Sequence, residues 1–262
     1  MPLDLVDTHC HLDLEPLAGS LEAVLSRARA AGVRQCVTIG TSVASSQANV
    51  ELARRQPMLR VGIGVHPHEA DSVTEADLHA IEALAGEPCV VAIGEIGLDY
   101  YYQHATPANQ ERALRGFLGI AQRRNLPILV HCRDAYEPLL AILTSEMRPP
   151  VRGLIHCASG TPEFIQGALA LGLHISFSGT VTFPNAHTTR ALVPLVPDER
   201  LLIETDAPFL APQPVRGQQN EPAHVAHTAA SLARLRGTTV DALGAMTSRN
   251  ARALFGFPEP QQ

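Results

Sequence analysis

The chain has 262 residues, enough for one large core or two small domains, and its composition of 45% hydrophobic and 18% charged residues is that of an ordinary globular protein. A net charge of −6 with a pI near 6.0 excludes a global basic field that would draw in nucleic acid, so a polyanionic substrate must be held locally, by metal ions and a few arginines. The chain has no lysine, which excludes Schiff-base catalysis and a lysine-carbamate bridge between metals; it has no tryptophan and only 4% aromatics, which argues against a long base-stacking platform.

Short apolar runs alternate with longer amphipathic segments from end to end. In chain order, the runs predict strands at Leu3–Asp7, Gln35–Ile39, Leu59–Val65, Cys89–Ile93, Ile128–Val130, Leu154–Ile155 with its flanks, His174–Phe177 and Leu201–Ile203. Between them, helical patterns cover Leu21–Ala31, Ala44–Arg55, Glu75–Ala85, Asn109–Arg124, Pro138–Glu146 and Pro162–Leu171, with more after Asn185, from Pro222 to Leu235 and at Val240–Phe255. Apolar strands separated by helices indicate a parallel sheet covered on both faces. Eight such units predict an α/β fold, a single (β/α)8 TIM-type barrel domain over residues 1–262, with its site at the C-terminal face of the strands. The proline-rich stretch Ala207–Pro222 follows the last strand and is expected as a loop over that face. Asp134-Ala-Tyr-Glu137 resembles a capping box, and Thr161-Pro162 sets a cap before a proline at the first helical position.

The N-terminus lacks a basic region followed by an apolar one, and no run of about eighteen apolar residues occurs, so no membrane association is expected. Five cysteines without a Cys-x-x-Cys pair point to reduced thiols and a cytoplasmic protein.

Polar residues with metal-ligand chemistry recur where the apolar runs stop. His9-Cys10-His11 closes the first strand, and period-two alternation sends both imidazoles to one face and the thiol to the other. Glu95 follows the fourth run, His131 the fifth, His156 the sixth, and Glu204-Thr205-Asp206 the eighth. Any one of these could be a solvated loop residue. His9, His11, Glu95, His131, His156 and Asp206 together, each at the same end of its strand, predict a metal site. Six ligands exceed what one tetrahedral zinc needs, which suggests two divalent ions, with Glu95 as the bridge that no lysine carbamate can supply. Cys10, Cys132 and Cys157 neighbour these ligands, but alternation turns them outward; with Cys36 and Cys89 they are expected as buried small hydrophobes.

The ordered motifs Val-Asp-Thr-His9-Cys-His11-Leu-Asp, Gly-Ile-Gly-Val-His66-Pro-His68, Gly-Glu95-Ile-Gly-Leu-Asp99-Tyr, His131-Cys-Arg133-Asp-Ala, His156-Cys-Ala-Ser-Gly and Glu204-Thr-Asp206-Ala-Pro resemble the TatD family of metal-dependent deoxyribonucleases, within the wider amidohydrolase-like barrels. The resemblance covers nearly the whole chain. It implies a divalent-metal-dependent phosphodiesterase, typically a 3′→5′ exonuclease, acting on single-stranded DNA or frayed 3′ ends, with RNA as an alternative and no obligate protein partner. By the same resemblance His9, His11, Glu95 and Asp206 hold one metal, Glu95, His131 and His156 the other, and His66 and Arg133 match phosphate-binding positions. Three departures bear on substrate choice: Gln218 and Gln219 replace basic residues, Ala158 replaces an aromatic, and His224 stands where a tyrosine is common.

Metal-activated water is the expected nucleophile, with Glu95 setting the metal spacing and Asp206 accepting or orienting the proton. Arg133 faces inward with His131 if the fifth strand persists that far; otherwise it is a surface arginine. Arg216 and Asn220 either line the groove or form an exposed loop pair, and one of Tyr100, Tyr101 and Tyr102 either stacks on a base or packs on a helix. Four imidazoles in the set favour Zn²⁺, Mn²⁺, Fe or Ni²⁺, whereas the family's nuclease activity suggests Mg²⁺. The rivals are the same chemistry on a cyclic amide, a small phosphate ester or an aminoacyl-tRNA ester, and a non-catalytic metal-binding protein; the presence of both Glu95 and Asp206 speaks against the latter.

Overall fold

The computed structural model describes residues 3–257. Eight strands form one sheet in the order β1-β2-β3-β4-β5-β6-β7-β8, the sequential order of a (β/α)8 barrel. They are β1 (Leu5–Cys10), β2 (Val33–Ile39), β3 (Leu59–Ile63), β4 (Val90–Asp99), β5 (Ile128–Arg133), β6 (Gly153–Ile155), β7 (His174–Phe177) and β8 (Leu201–Ile203). The helices are α1 (Leu21–Ala30), α2 (Val43–Arg55), α3 (Glu75–Leu84), α4 (Pro107–Arg124), α5 (Tyr136–Glu146), α6 (Pro162–Leu171), α7 (His187–Leu192), α8 (Val225–Leu235) and α9 (Val240–Phe255). Among the described residues no helix is long and apolar enough to cross a membrane.

The chain divides into two compact units. One comprises the residues up to Thr38, His156–Ala158 and those from Ile175 onward; the other comprises Ile39–Ile155 and Ser159–His174. In the first unit β1 pairs in parallel with β2, and β7 with β8. The first strand also meets the last: Asp206 N–H donates to the His9 carbonyl at 2.9 Å, and His11 N–H to the Ala207 carbonyl at 2.6 Å. Helix α9 packs on β1 and β8, where Gly244 lies so close to Asp4 that a Cβ would stand 3.1 Å from its carbonyl oxygen. In the second unit β3, β4, β5 and β6 pair in parallel. Helix α4 covers β4 through Ala113, Leu114, Phe117, Leu118 and Ala121, an i, i+1, i+4, i+5, i+8 stripe that forms one buried face. Asn125 ends that helix at φ 51°, the left-handed geometry that asparagine tolerates.

Three strands run further than their apolar residues suggest. Strand β1 continues through Asp7, Thr8 and His9, β4 through Glu95 to Asp99, and β5 through His131 to Arg133. The inward positions near the strand ends carry polar groups, so hydrophobicity stops before hydrogen bonding does. The capping box expected at Asp134 is absent: Ala135 is the N-cap of α5, no side chain caps it, and Asp134 takes φ 52°. Thr161 does cap α6, its hydroxyl accepting from Phe164 N–H at 3.2 Å. Thr161→Ala is expected to cost about 1 kcal/mol, read as a lowered urea midpoint with unchanged slope.

Candidate functional site

In the first unit, alternation along β1 brings His9 and His11 to one face, with their Nε2 atoms 3.2 Å apart. Cys10 turns the other way, and its thiol meets the Val37 carbonyl at 3.4 Å. Past β8 the chain turns at Asp206, with φ 58°, and the hydrogen bonds to β1 draw its carboxylate to 3.6 Å from His9 Nε2 and 3.5 Å from His11 Nε2. His156, just beyond β6, stacks on His9 with ring centroids 4.0 Å apart. Behind it stands Glu204, wholly buried: Oε1 accepts from Cys157 N–H at 2.6 Å and lies 3.3 Å from His156 Nδ1, while no hydrogen-bond partner meets Oε2 among the described residues. Burial raises the Asp206 carboxyl, but the hydrogen bond to His11 and the neighbouring imidazoles outweigh it and hold the group below the ordinary carboxylate range.

The second unit gathers its own set. Strand β4 is pleated, so Glu95, Gly97 and Asp99 share a face, and β4 pairs Gly97 with His131 and Asp99 with Arg133 of β5. Gly97 has no substitute, because at φ 148° a Cβ would overlap the His131 carbonyl oxygen. Glu95 Oε1 stands 3.1 Å from His131 Nδ1 and 3.5 Å from His66 Nε2. Asp99 Oδ2 takes the opposite nitrogen of His131 at 3.1 Å and His68 Nε2 at 2.9 Å. Burial raises the Asp99 carboxyl too, yet the hydrogen bonds from His131, Tyr102 N–H and His68 prevail and hold it far below the usual range.

These spacings fit divalent ions. Four ligands about 2.0–2.1 Å from a tetrahedral ion lie about 3.4 Å from one another, and the edges of the His9–His11–Asp206 triangle are 3.2, 3.5 and 3.6 Å. The ligand atoms of His66, Glu95 and His131 also converge, within 4.8 Å of one another.

Within each unit the expected ligands come together: His9, His11, His156 and Asp206 in the first, Glu95 and His131 in the second. Glu95 lies inside its strand rather than after it. His66, expected at a phosphate, stands among the ligand atoms. Arg133 continues the face of His131 and is exposed, its guanidinium 4.5 Å over the Tyr101 ring. Arg216 is exposed and lies 4.5 Å over the Phe183 ring. Asn220 is not half of an exposed loop pair. Its side chain is buried; the amide donates to the Thr205 and Phe209 carbonyls, and its oxygen accepts from Glu221 N–H at 3.0 Å and meets His224 Nδ1 at 3.1 Å, so it ties the loop together. The cysteines also divide: Cys10, Cys36 and Cys132 are buried, Cys89 and Cys157 only partly. Cys157 lies beyond its strand at φ 45°, where alternation no longer applies.

Two further carboxylates stand against the expected ligands, Asp99 beside His131 and Glu204 beside His156. The spacing Glu95-x-Gly97-x-Asp99 on one pleated face is the signal for the first; Glu204 is in view at the end of the eighth run, and its burial sets it behind His156. Asp99→Asn is expected to weaken metal affinity about 10- to 100-fold, as loss of a histidine-orienting carboxylate does, read by titration with Zn²⁺. Because the folded carboxyl is held below its unfolded value of about 3.9, Asp99 stabilises the fold above that pH and the contribution falls away on acidification. Thermal melts from about pH 5 down to pH 2 should therefore show a shallower acid decline in the variant.

The family model of TatD related DNase matches residues 6–256. The chain belongs to the TatD family. It is 38% identical over 251 residues to the uncharacterized metal-dependent hydrolase YabD of Bacillus subtilis, covering 96% of this chain and 98% of that one. It is 39% identical over 256 residues to the 3′-5′ ssDNA/RNA exonuclease TatD of Salmonella typhimurium, covering 96% and 98%. The crystal structure of YJJV, a TatD homologue of Escherichia coli, superposes with a TM-score of 0.93 at 32% identity, over 98% of this chain and 100% of that one. The TatD fold is thus that of the chain, and its chemistry is that of a metal-dependent hydrolase.

Proposed function

We propose that this TatD-family hydrolase cleaves phosphodiester bonds of single-stranded DNA, or of frayed 3′ ends, as a 3′→5′ exonuclease, with RNA as a further substrate. The observation that carries the proposal is the buried triangle of His9, His11 and Asp206, whose edges suit one divalent ion and whose carboxylate stays anionic. In this reading His9, His11, Glu95 and Asp206 would hold one ion and Glu95, His131 and His156 a second; the imidazoles suit Zn²⁺, and the carboxylates suit Mg²⁺ or Mn²⁺. Divalent ions so held supply Lewis acidity, lowering the pKa of water and neutralising charge that develops on phosphoryl oxygens. The protein's own groups do the rest. Asp206, anionic near neutral pH, accepts the proton of the attacking water at a carboxylate oxygen. Glu95 fixes the spacing of its partners. Arg133, which meets only the rings of Tyr101 and Tyr102 among the described residues, is free to grip a phosphate through its guanidinium fork. Arg216 offers a second cation. Free thiols at all five cysteines support a reducing, cytoplasmic setting.

One observation favours a second reading. The loop after β8 exposes Gln218 and Gln219, which are uncharged, on a chain of net charge −6, and this suits a smaller or less charged ester or amide. A panel of single-stranded DNA, duplex DNA, RNA and small esters, each with Mg²⁺ and with Mn²⁺, separates the two. The proposal expects single strands to be cleaved fastest, with 5′-mononucleotides released from the 3′ end. Turnover of small esters alone would favour the second reading.

A further inference from the structure

We propose that Tyr101 and Tyr102 form a short stacking platform for a nucleobase of the single strand, an inference that rests on the nuclease reading above. Among the described residues only four large hydrophobic side chains are notably exposed, and these are two of them, each 54% exposed. They adjoin each other, with ring centroids 4.8 Å apart, and adjacent exposed apolar rings are the kind of patch that marks a binding surface.

Their backbone is not loose. Tyr101 N–H and Tyr102 N–H both donate to Asp99 Oδ1, at 3.0 and 2.9 Å, and the other oxygen of that carboxylate holds His131 and His68. Gln110, buried, accepts from Asp99 N–H at 2.7 Å and donates to the Asp99 and Ala105 carbonyls, clamping both ends of the loop. One carboxylate therefore fixes the tyrosines relative to the ligand His131. The rings are ordered by their neighbours: Arg133 covers one face of Tyr101 at 4.5 Å, Tyr102 stands edge-on to Tyr101 at 4.8 Å, and His104 lies nearly parallel to Tyr102 at 5.9 Å. Preorganised, half-open rings beside an unpaired guanidinium suit a flat, electron-rich base whose phosphate the arginine can reach. Stacking of this kind accepts any base, so the platform gives preference for single strands over duplex without sequence selectivity. It is short, as the composition requires.

The test compares two oligonucleotides, one ending in a normal 3′ nucleotide and one ending in an abasic sugar, with wild type, Tyr101→Ala, Tyr102→Ala and Tyr102→Phe. Wild type should prefer the normal end by about tenfold in kcat/KM, the scale of one stacked base, mostly through KM. Each alanine variant should lose most of that preference while keeping wild-type metal content, and Tyr102→Phe should retain it. Binding is read separately, by the quenching of a 3′-terminal 2-aminopurine, which the alanine variants should relieve. Alanine variants that keep the wild-type preference and quenching would overturn the platform even if the enzyme is a nuclease. Quenching that depends on the tyrosines, without cleavage of either strand, would sustain the platform and overturn the nuclease reading. Absence of both would end both.

Discussion

Glu95→Ala is expected to abolish hydrolysis and to strip metal from the protein while leaving the fold intact. The carboxylate is buried on β4 with His131 at 3.1 Å and His66 at 3.5 Å. If it is shared between two ions, its loss removes an anionic donor from both at once. The effect should then exceed the about 10- to 100-fold that loss of an outer partner costs, reaching on the order of 10³-fold or more in kcat/KM. Stability should change far less, by about 2 kcal/mol or under, because a ligand at a strand's C-terminal end adds little to the apolar core. Elemental analysis, steady-state rates and a thermal melt on one preparation check the three parts. Near-normal turnover would refute the shared-carboxylate scheme.

Asp206→Asn should separate ligation from proton handling. The amide keeps the shape and one donor oxygen, so the turn at φ 58° and the backbone bonds to His9 should survive. It cannot accept the proton that the anionic carboxylate is proposed to take. Rates should fall by about 10²- to 10⁴-fold, the scale of general-base loss, with a smaller change in bound metal. Restored turnover with a substrate whose leaving group is already activated would be inconsistent with this role, because the missing base serves attack and not departure. A parallel loss of metal and activity would make Asp206 a ligand only.

Most of the architecture was legible because parallel strands are buried on both faces and so read as plain apolar runs. His174–Phe177 and Leu201–Ile203 have the bounds that their hydrophobicity suggests, as do Pro162–Leu171 and Val240–Phe255. Failures cluster where strands turn polar. Val90–Ile93 is apolar, but the strand continues through Glu95 and Asp99, because inward-facing carboxylates occupy positions that the pleat makes equivalent. Asp99 went unassigned for that reason, although its spacing from Glu95 was in view. Asn220 departs in the opposite direction: a polar residue on a loop suggests exposure, whereas its buried amide satisfies four backbone and side-chain groups. Hydrogen bonds between residues far apart in sequence, such as Glu204 to Cys157, leave no local periodicity to read.

The most direct test of the metal scheme is a crystal structure of the Mn²⁺-loaded protein with anomalous scattering recorded at the manganese edge. Two peaks about 3.5–4 Å apart are expected, one bonded to His9, His11 and Asp206, the other to His131 and His156, with a Glu95 oxygen on each. A lone peak without Glu95, or manganese bound at other side chains, would contradict the scheme.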